Sequence, residues 1–282
     1  MEPRKVGVIG AGTMGNGISQ AFAVAGLEVV MTDVAQSQLE RATAAIAASL
    51  DRLVKKDRMT AAEKAAALGR IRGATDLGAL SDCDLVIEAA TENLELKLRI
   101  FGQIDELVPS GAVIATNTSS ISITRLAAAT QRPDCVIGMH FFNPVPVMAL
   151  VELIRGLQTS EATYLAAEAA AKRVGKTPVQ VRNSPGFVVN RVLCPMINEA
   201  IFALGEGLAN AEQIDAAMKL GANHPIGPLA LADLIGLDVE LAVMQVLFEG
   251  FKDPKYRPAP LLVEMVEAGY LGRKTRRGFF RY

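Results

Sequence analysis

The chain has 282 residues and a mass of 29.9 kDa, enough for two domains or one large one. Half of the residues are hydrophobic and the formal net charge is −1, which predicts a substantial core and argues against general binding to nucleic acid or an anionic membrane. No apolar run approaches the roughly 20 residues that cross a bilayer, and the first strand begins too early to leave room for a signal peptide. Three widely spaced cysteines without a CxxC pair indicate reduced thiols. We therefore expect a soluble, cytoplasmic protein.

A short apolar run at residues 5–10 leads into a glycine-rich loop and then into a helical pattern. The loop has the spacing GxGxxG, in which the first glycine permits a tight turn, the second admits a pyrophosphate and the third lets helix and strand pack closely. A second apolar run follows and ends in an acid, so the context of the motif is complete. The pattern predicts a dinucleotide site at a helix N-terminus. Its loop residues are Gly10, Ala11, Gly12, Thr13, Met14 and Gly15.

Asp33, the acid at the end of the second run, indicates which dinucleotide binds. A carboxylate at this position binds the ribose hydroxyls of the adenosine and repels the 2′-phosphate of NADP. The residues from Val34 to Ser37 carry no cation that would accept such a phosphate. The sequence therefore predicts NAD as the cofactor.

A long amphipathic helix is predicted over residues 37–56 and a shorter one over residues 61–69. The first ends in the basic segment 52–58, which is either a solvated helix end favoured by the dipole or a set of cations that meets phosphates. About 40 residues separate the second strand from the next, more than a simple crossover needs. We expect this segment to form an arm over a ligand.

The next three strands are predicted at residues 70–75, 84–88 and 111–116. In a doubly wound sheet, ligands bind outside the carboxyl ends of the strands. Glu92 and Lys97 follow the fourth strand, so they belong either to that edge or to an exposed charge pair on a helix. The hydroxyl-rich segment 117–120 follows the fifth strand and either caps the next helix or offers hydroxyls to a substrate.

His140, one of only two histidines, lies at the end of the sixth apolar run. The Asn-Pro-Val-Pro segment after it should turn the chain so that Glu152, on the next run, comes back beside the imidazole. A histidine paired with a carboxylate suits proton transfer, whereas the structural alternative is a buried histidine bound to the backbone. His140 shares the carboxyl edge with Gly12, Glu92 and Ser119, which favours the catalytic interpretation.

A turn near residue 184 separates two halves of different pattern. The second half is helical nearly to its end, with helices predicted at residues 187–205, 211–220, 229–234, 239–248 and 259–267. We predict an α/β, Rossmann-type domain with a mostly parallel sheet over residues 1–184, followed by an all-α domain over residues 185–282. The apolar faces of the second domain exceed what so small a domain can cover, which predicts a homodimer through this half.

Seven segments carry a more specific signal through their order and spacing. They are VGVIGAGTMGNGI, TENLELK, NTSSISIT, GMHFFNPVPVMALVE, NSPGFVVNRVL, GPLALADLIGLD and GYLGRKTRRGFFRY. With them the chain resembles the L-3-hydroxyacyl-CoA dehydrogenase family over its whole length, in particular its short bacterial 3-hydroxybutyryl-CoA dehydrogenases. Only the first segment is shared by many unrelated dehydrogenases. The resemblance implies reversible, NAD-dependent oxidation of a 3-hydroxyacyl-CoA to a 3-ketoacyl-CoA.

The resemblance also implies roles for residues at matching positions. His140 would be the general base, and Glu152 would hold and polarise its imidazole. Ser119 and Asn190 would hydrogen-bond the reacting end of the substrate. Asn190 lies beyond the domain boundary, so the active site would be completed where the two domains meet.

Further matching positions imply contacts with the cofactor and with coenzyme A. Asn143 would fix the nicotinamide, and Glu92 and Lys97 would meet the cofactor near its ribose and nicotinamide. Ser49 and Lys56, in the predicted arm, would contact coenzyme A. No His/Cys cluster with metal spacing is present, and no metal is expected. The sequence departs from the family pattern at residues 276–277, two arginines where small or acidic residues are frequent.

Three other functions remain as alternatives. β-Hydroxyacid dehydrogenases that act on free acids share the glycine motif, but they use a lysine early in the long interdomain helix, where this chain has none before Asn198. The gulonate dehydrogenase and lens-crystallin branch shares the His-Glu pattern and differs in substrate. A dinucleotide-binding protein without turnover is disfavoured by the set of Ser119, His140, Glu152 and Asn190.

Overall fold

The computed structural model describes residues 3–282 as two compact units. The first unit ends at Ser184 and the second spans Pro185–Tyr282. The first is an α/β unit with a mostly parallel sheet and the second is helical, so the predicted fold class is confirmed.

The first unit is built on one sheet of eight strands in the order β3-β2-β1-β4-β5-β6-β7-β8. The strands are β1 Lys5–Ile9, β2 Glu28–Thr32, β3 Ile71–Ala74, β4 Leu85–Glu88, β5 Val113–Thr116, β6 Val136–Phe141, β7 Leu150–Arg155 and β8 Thr177–Arg182. The first six are parallel, β7 runs antiparallel to β6, and β8 runs parallel to β7. The carboxyl ends of β1 to β6 therefore lie along one edge of the sheet.

Helices cover both faces of the sheet, which explains why its central strands read as continuous apolar runs. They are α1 Thr13–Val24, α2 Gln36–Val54, α3 Ala61–Gly69, α4 Leu94–Leu107, α5 Ile123–Ala127 and α6 Glu161–Arg173. Several begin at side-chain caps that satisfy free backbone N–H groups. Asn93 caps α4, Ser122 caps α5 and Ser160 caps α6.

The second unit consists of five α-helices around a core of its own. They are α7 Val189–Gly205, α8 Ala211–Gly221, α9 Pro228–Ile235, α10 Leu237–Phe251 and α11 Pro260–Glu267. Ile197, Leu229 and Leu262 are fully buried in this core. The buried carboxylate of Asp233 accepts hydrogen bonds from the backbone N–H groups of residues 279 and 280, which anchors the C-terminal segment to α9. In the described part of the chain, no helix has the length and apolar character needed to cross a membrane.

Candidate active site

The glycine loop joins the end of β1 to the start of α1 and leaves open space at the helix N-terminus. Gly10 has φ +96°, a conformation that L side chains rarely adopt. A Cβ on Gly15 would lie 1.7 Å from the carbonyl oxygen of Gly10, so only glycine lets the helix approach the strand this closely. A Cβ on Gly12 would meet nothing within 4 Å. The space beside Gly12 is therefore open to an anion that the free N–H groups of α1 would bind.

Asp33 lies directly after β2, and its carboxylate is bound to the same loop. Oδ2 accepts a hydrogen bond from the N–H of Ala11 at 2.9 Å, and Oδ1 accepts one from the N–H of Ala35 at 3.1 Å. The two bonds fix the carboxylate at the carboxyl end of the sheet. The open loop and the fixed acid together fit a dinucleotide whose pyrophosphate meets the helix and whose ribose meets the acid.

His140 and Glu152 face each other across β6 and β7, as the predicted turn requires. They are paired residues in the antiparallel register, and Nδ1 of the imidazole lies 2.8 Å from Oε2 of the carboxylate. Both side chains are buried, His140 at 6% exposure and Glu152 at 1%. A carboxylate can only accept, so this contact places the imidazole proton on Nδ1. In the neutral ring the lone pair is then on Nε2, the nitrogen able to take up a proton.

Glu92 holds the loop that carries Ser119. Its Oε1 accepts hydrogen bonds from the N–H and the Oγ of Ser119 at 3.0 and 3.3 Å. Its Oε2 accepts one from the Oγ1 of Thr118 at 2.6 Å. The N-cap of α5 is Ser122, so the hydroxyls of Ser119 and Ser120 do not cap this helix.

Lys97 does not form the exposed pair with Glu92 that the sequence left open, and that alternative is wrong. Its side chain is 1% exposed and forms an ion pair with Glu88, which is itself fully buried. Thr116 donates a hydrogen bond to the same carboxylate at 3.0 Å. The reason is geometric: Lys97 lies on the buried face of α4, one turn inside the helix, whereas Glu92 precedes the helix.

The predicted arm contributes to a cleft of about 590 Å³ in the first unit. Its lining residues come from the start of α1, from the end of α2 with the basic segment after it, and from the turn between β6 and β7. This brings Ser49, Lys56 and Asn143 to the walls of one cleft, together with Arg52 and Arg58. The lining residues, all in the described chain, include three cations and no carboxylate, so the cleft attracts anions.

Asn190 lies in the first turn of α7, in the second unit, and its role remains a prediction. His224 lies in a loop, as predicted.

Sequence reasoning missed Glu88 and Asn117. Glu88 could have been found because it is an acid at the end of a buried strand, as Asp33 is. Among residues 3–282, no group of three His, Cys, Asp or Glu side chains could hold a metal ion.

Comparison with known proteins gives matches over the whole chain. The model of the 3-hydroxyacyl-CoA dehydrogenase NAD binding domain matches residues 5–184, and that of the 3-hydroxyacyl-CoA dehydrogenase C-terminal domain matches residues 186–282. A 3-hydroxybutyryl-CoA dehydrogenase of Bradyrhizobium diazoefficiens is 56% identical over 279 residues, which cover 99% of this chain and 95% of that protein. One of Clostridioides difficile is 51% identical over 278 residues, 99% of each chain.

A solved structure shows that the similarity extends to the fold. The crystal structure of (S)-3-hydroxybutyryl-CoA dehydrogenase from Ralstonia eutropha superposes with a TM-score of 0.97 at 64% sequence identity. The match covers 100% of this chain and 99% of that one.

Proposed function

The chain belongs to the NAD-dependent 3-hydroxyacyl-CoA dehydrogenase family, and we propose that it reversibly interconverts (S)-3-hydroxybutyryl-CoA and acetoacetyl-CoA. Membership confirms the oxidoreductase class and the NAD cofactor predicted from the sequence. The substrate is inferred from relatives named for it that match the chain end to end. The observation that carries the chemistry is the buried contact of His140 and Glu152, on the sheet edge that also carries the glycine loop.

The reaction requires the removal of a proton from the 3-hydroxyl group and of a hydride from C3. The glycine loop and Asp33 would hold NAD, which would supply the hydride acceptor. His140 accepts the proton at Nε2, because Nδ1 already carries the proton that faces Glu152. In the reverse direction the same imidazole returns the proton to the developing alkoxide.

Glu152 orients the imidazole and stabilises the positive charge that it acquires. At 1% exposure the carboxylate is shielded from water, so its attraction for the imidazolium is less screened than on a surface. Its position in the β6–β7 register also prevents the ring from rotating freely. This is the function of the acid that holds a catalytic histidine in other enzymes.

The remaining site residues bind and orient the substrate and the cofactor. Ser119 offers a hydroxyl to the oxygen on C3, and we assign the same function to Asn190 on the basis of the resemblance. Glu92 fixes the Ser119 loop and lies near the cofactor. Asn143, on the wall of the cleft, positions the nicotinamide. Lys97 was expected from the resemblance to meet the cofactor, but its side chain is buried against Glu88, so we assign it the role of holding Glu88 in place of that contact.

The arm binds the nucleotide end of coenzyme A. Ser49 and Lys56 line a cleft whose other cations are Arg52 and Arg58, and phosphates are the anionic groups of coenzyme A. A positively charged cleft raises the local concentration of such a substrate. The observation that supports this is the absence of any carboxylate among the lining residues of the cleft.

We also infer a cytoplasmic homodimer that associates through the helical unit. Six large aliphatic side chains of this unit are markedly exposed: Val188, Val192, Leu208, Leu220, Leu234 and Val239. A contiguous patch of exposed apolar side chains is frequently covered by a partner, and we propose that these side chains contribute to such a patch. All three cysteines are free, as expected where thiols remain reduced. Light scattering at micromolar concentration should give twice the mass of the chain, and a monomer would refute the dimer.

The decisive assay follows NADH oxidation with acetoacetyl-CoA, with longer 3-ketoacyl-CoA thioesters and with free acetoacetate. We expect turnover of the thioesters, with acetoacetyl-CoA preferred. His140→Ala should lower kcat by about 10²–10⁴-fold while the Kd of NADH changes little. Glu152→Gln should lower kcat and shift its pH profile. A parallel assay follows NAD reduction with free sugar acids; activity there without turnover of the thioesters would favour the gulonate dehydrogenase branch. NADH binding without turnover of either substrate class would favour a non-enzymatic role.

The function of the arm can be tested by itself with a truncated substrate. Acetoacetyl-pantetheine carries the reacting end of the substrate and lacks its nucleotide. Ser49→Ala with Lys56→Ala should raise KM for acetoacetyl-CoA and leave kinetics with acetoacetyl-pantetheine unchanged. An equal effect on both substrates would show that the arm does not bind the nucleotide.

A further inference from the structure

The strand that carries His140 extends beyond its neighbour on one side. The β5 ladder pairs Thr116 with Gly138 and stops there. Strand β6 continues to Phe141, and on its other side β7 remains paired with it, opposite both His140 and Phe141. The last residues of β6, with the imidazole among them, thus lack a β5 strand partner.

The side chain of Asn117 fills the missing position in the ladder. Asn117 is the first residue after β5, and its Oδ1 accepts a hydrogen bond from the backbone N–H of Phe141 at 2.9 Å. The amide of asparagine has the chemistry of a peptide group, so its oxygen replaces the carbonyl that a longer β5 would offer. The residue bound in this way is the immediate neighbour of His140.

Asn117 also ties this strand end to the rest of the site. Its backbone N–H donates to the carbonyl oxygen of Glu88 on β4, at 2.8 Å, so the residue bridges β4 and β6 beyond the end of β5. Two residues further on, Ser119 is bound to Glu92. A single short loop therefore fixes the positions of two proposed site residues relative to each other. They are Ser119, whose hydroxyl would bind the substrate, and His140, the proposed base on β6.

We propose that Asn117 is a positioning residue, which holds the end of β6 so that His140 keeps its place relative to Ser119. The proposal rests on the function assigned above, because it concerns the geometry of the same proton transfer. Asn117 acts through the backbone of Phe141 and does not itself take up a proton. Misplacement of a catalytic group by about 1 Å costs on the order of 10²-fold in rate.

Kinetics separate positioning from cofactor binding. Asn117→Ala should lower kcat by about 10- to 100-fold, with little change in the Kd of NADH. Asn117→Asp keeps an acceptor oxygen on the same stem and should recover most of kcat. Its added negative charge should move the pH profile to higher pH, because a nearby anion favours the imidazolium. Asn117→Ser, whose hydroxyl cannot span the gap, serves as a second deficient variant if the alanine variant folds poorly.

A spectroscopic measurement reports on His140 without any substrate. The chain has only two histidines, so ¹³C labelling at histidine Cε1 gives two NMR signals. The signal absent from His140→Ala belongs to His140, and that of His224 serves as an internal reference. Asn117→Ala should shift or split the His140 signal and leave that of His224 in place.

Asn210→Ala is the matched control, because it removes the same kind of hydrogen bond elsewhere. The Oδ1 of Asn210 accepts the N–H of Gln213 at 2.9 Å, at the start of α8. This variant should leave the His140 signal and kcat unchanged. An unmoved His140 signal in Asn117→Ala would overturn the proposal even if kcat falls, and so would wild-type kcat. If the wild-type protein does not turn over acetoacetyl-CoA, the proposed function fails, but the histidine signals still decide whether Asn117 positions the strand.

Discussion

Glu240 makes the stability of the helical unit dependent on pH. It lies in the first turn of α10 and is fully buried, and apart from the weakly donating thiol of Cys194 its carboxylate oxygens have no hydrogen-bond partner among the described residues. Burial raises its pKa from 4.5 to about 8, and the neighbouring Cys194 thiol opposes this only in part. The folded protein therefore holds a proton on Glu240 at neutral pH that the unfolded chain releases.

The sign and size of the effect follow from proton linkage. Between pH 4.5 and about 8 the folded state binds more protons than the unfolded state, so the free energy of unfolding falls as the pH rises through this window. Each pKa unit corresponds to about 1.4 kcal/mol, which gives a total loss of about 5 kcal/mol across the window. Above pH 8 both states are ionised and the loss is complete.

Urea denaturation followed by circular dichroism would measure this, at one protein concentration throughout because a dimer is expected. The stability difference between Glu240→Gln and the wild type should grow by about 1.4 kcal/mol per pH unit between pH 5 and 8 and then level off. Glu249→Gln is the control, since that residue lies on the same helix and its side chain is 68% exposed. A difference between Glu240→Gln and the wild type that does not change with pH would refute the reasoning.

Four further predictions concern the cofactor site and the C-terminus. Gly12→Ala should cost less than about 1 kcal/mol in stability yet raise the Kd of NADH in a fluorescence titration, since the new Cβ meets no protein atom and enters the open space. Gly15→Ala should instead destabilise the fold by about 1–3 kcal/mol or more, because its Cβ would overlap the carbonyl oxygen of Gly10; unaltered thermal unfolding would contradict this. Asp33→Ser should narrow the preference for NADH over NADPH in steady-state kinetics, while an unchanged ratio would remove Asp33 from cofactor selection. Arg276, at φ 57°, is in the left-handed region, so Arg276→Gly should raise stability by about 0.5–1 kcal/mol in thermal denaturation; a lower melting temperature would count against the strain.

The fold was predictable because its signals are local. Each central strand is a continuous apolar run, and each turn of the glycine loop needs a particular residue type. The contact of His140 with Glu152 was predictable for the same reason: only a short turn separates the two runs. Such features need no knowledge of which distant segments meet.

Lys97 and Asn117 could not be placed in this way, because their partners lie on other strands. The partner of Lys97 is nine residues away, on the preceding strand, and the choice between Glu88 and Glu92 depends on which face of α4 is buried. Asn117 meets Phe141 because the β5 ladder stops opposite Gly138, whereas β6 continues for three more residues. No local sequence pattern reveals this difference in strand length. The sequence showed that polar groups follow these strands but not which groups they bind.

The contact of His140 with Glu152 depends on the β6–β7 register, and this register depends on the turn between the two strands. A slip by one residue would move Glu152 to the opposite face of the sheet, away from the imidazole. Lys176, which precedes β8, holds the turn: its Nζ donates to the carbonyl oxygens of Val145 and Met148 at 2.5 and 2.7 Å. Gly17 on α1 leaves room for Val145, since a Cβ there would lie 2.9 Å from the valine. The two ends of the proposed proton relay are thus kept in register by a lysine and a glycine that take no part in the chemistry.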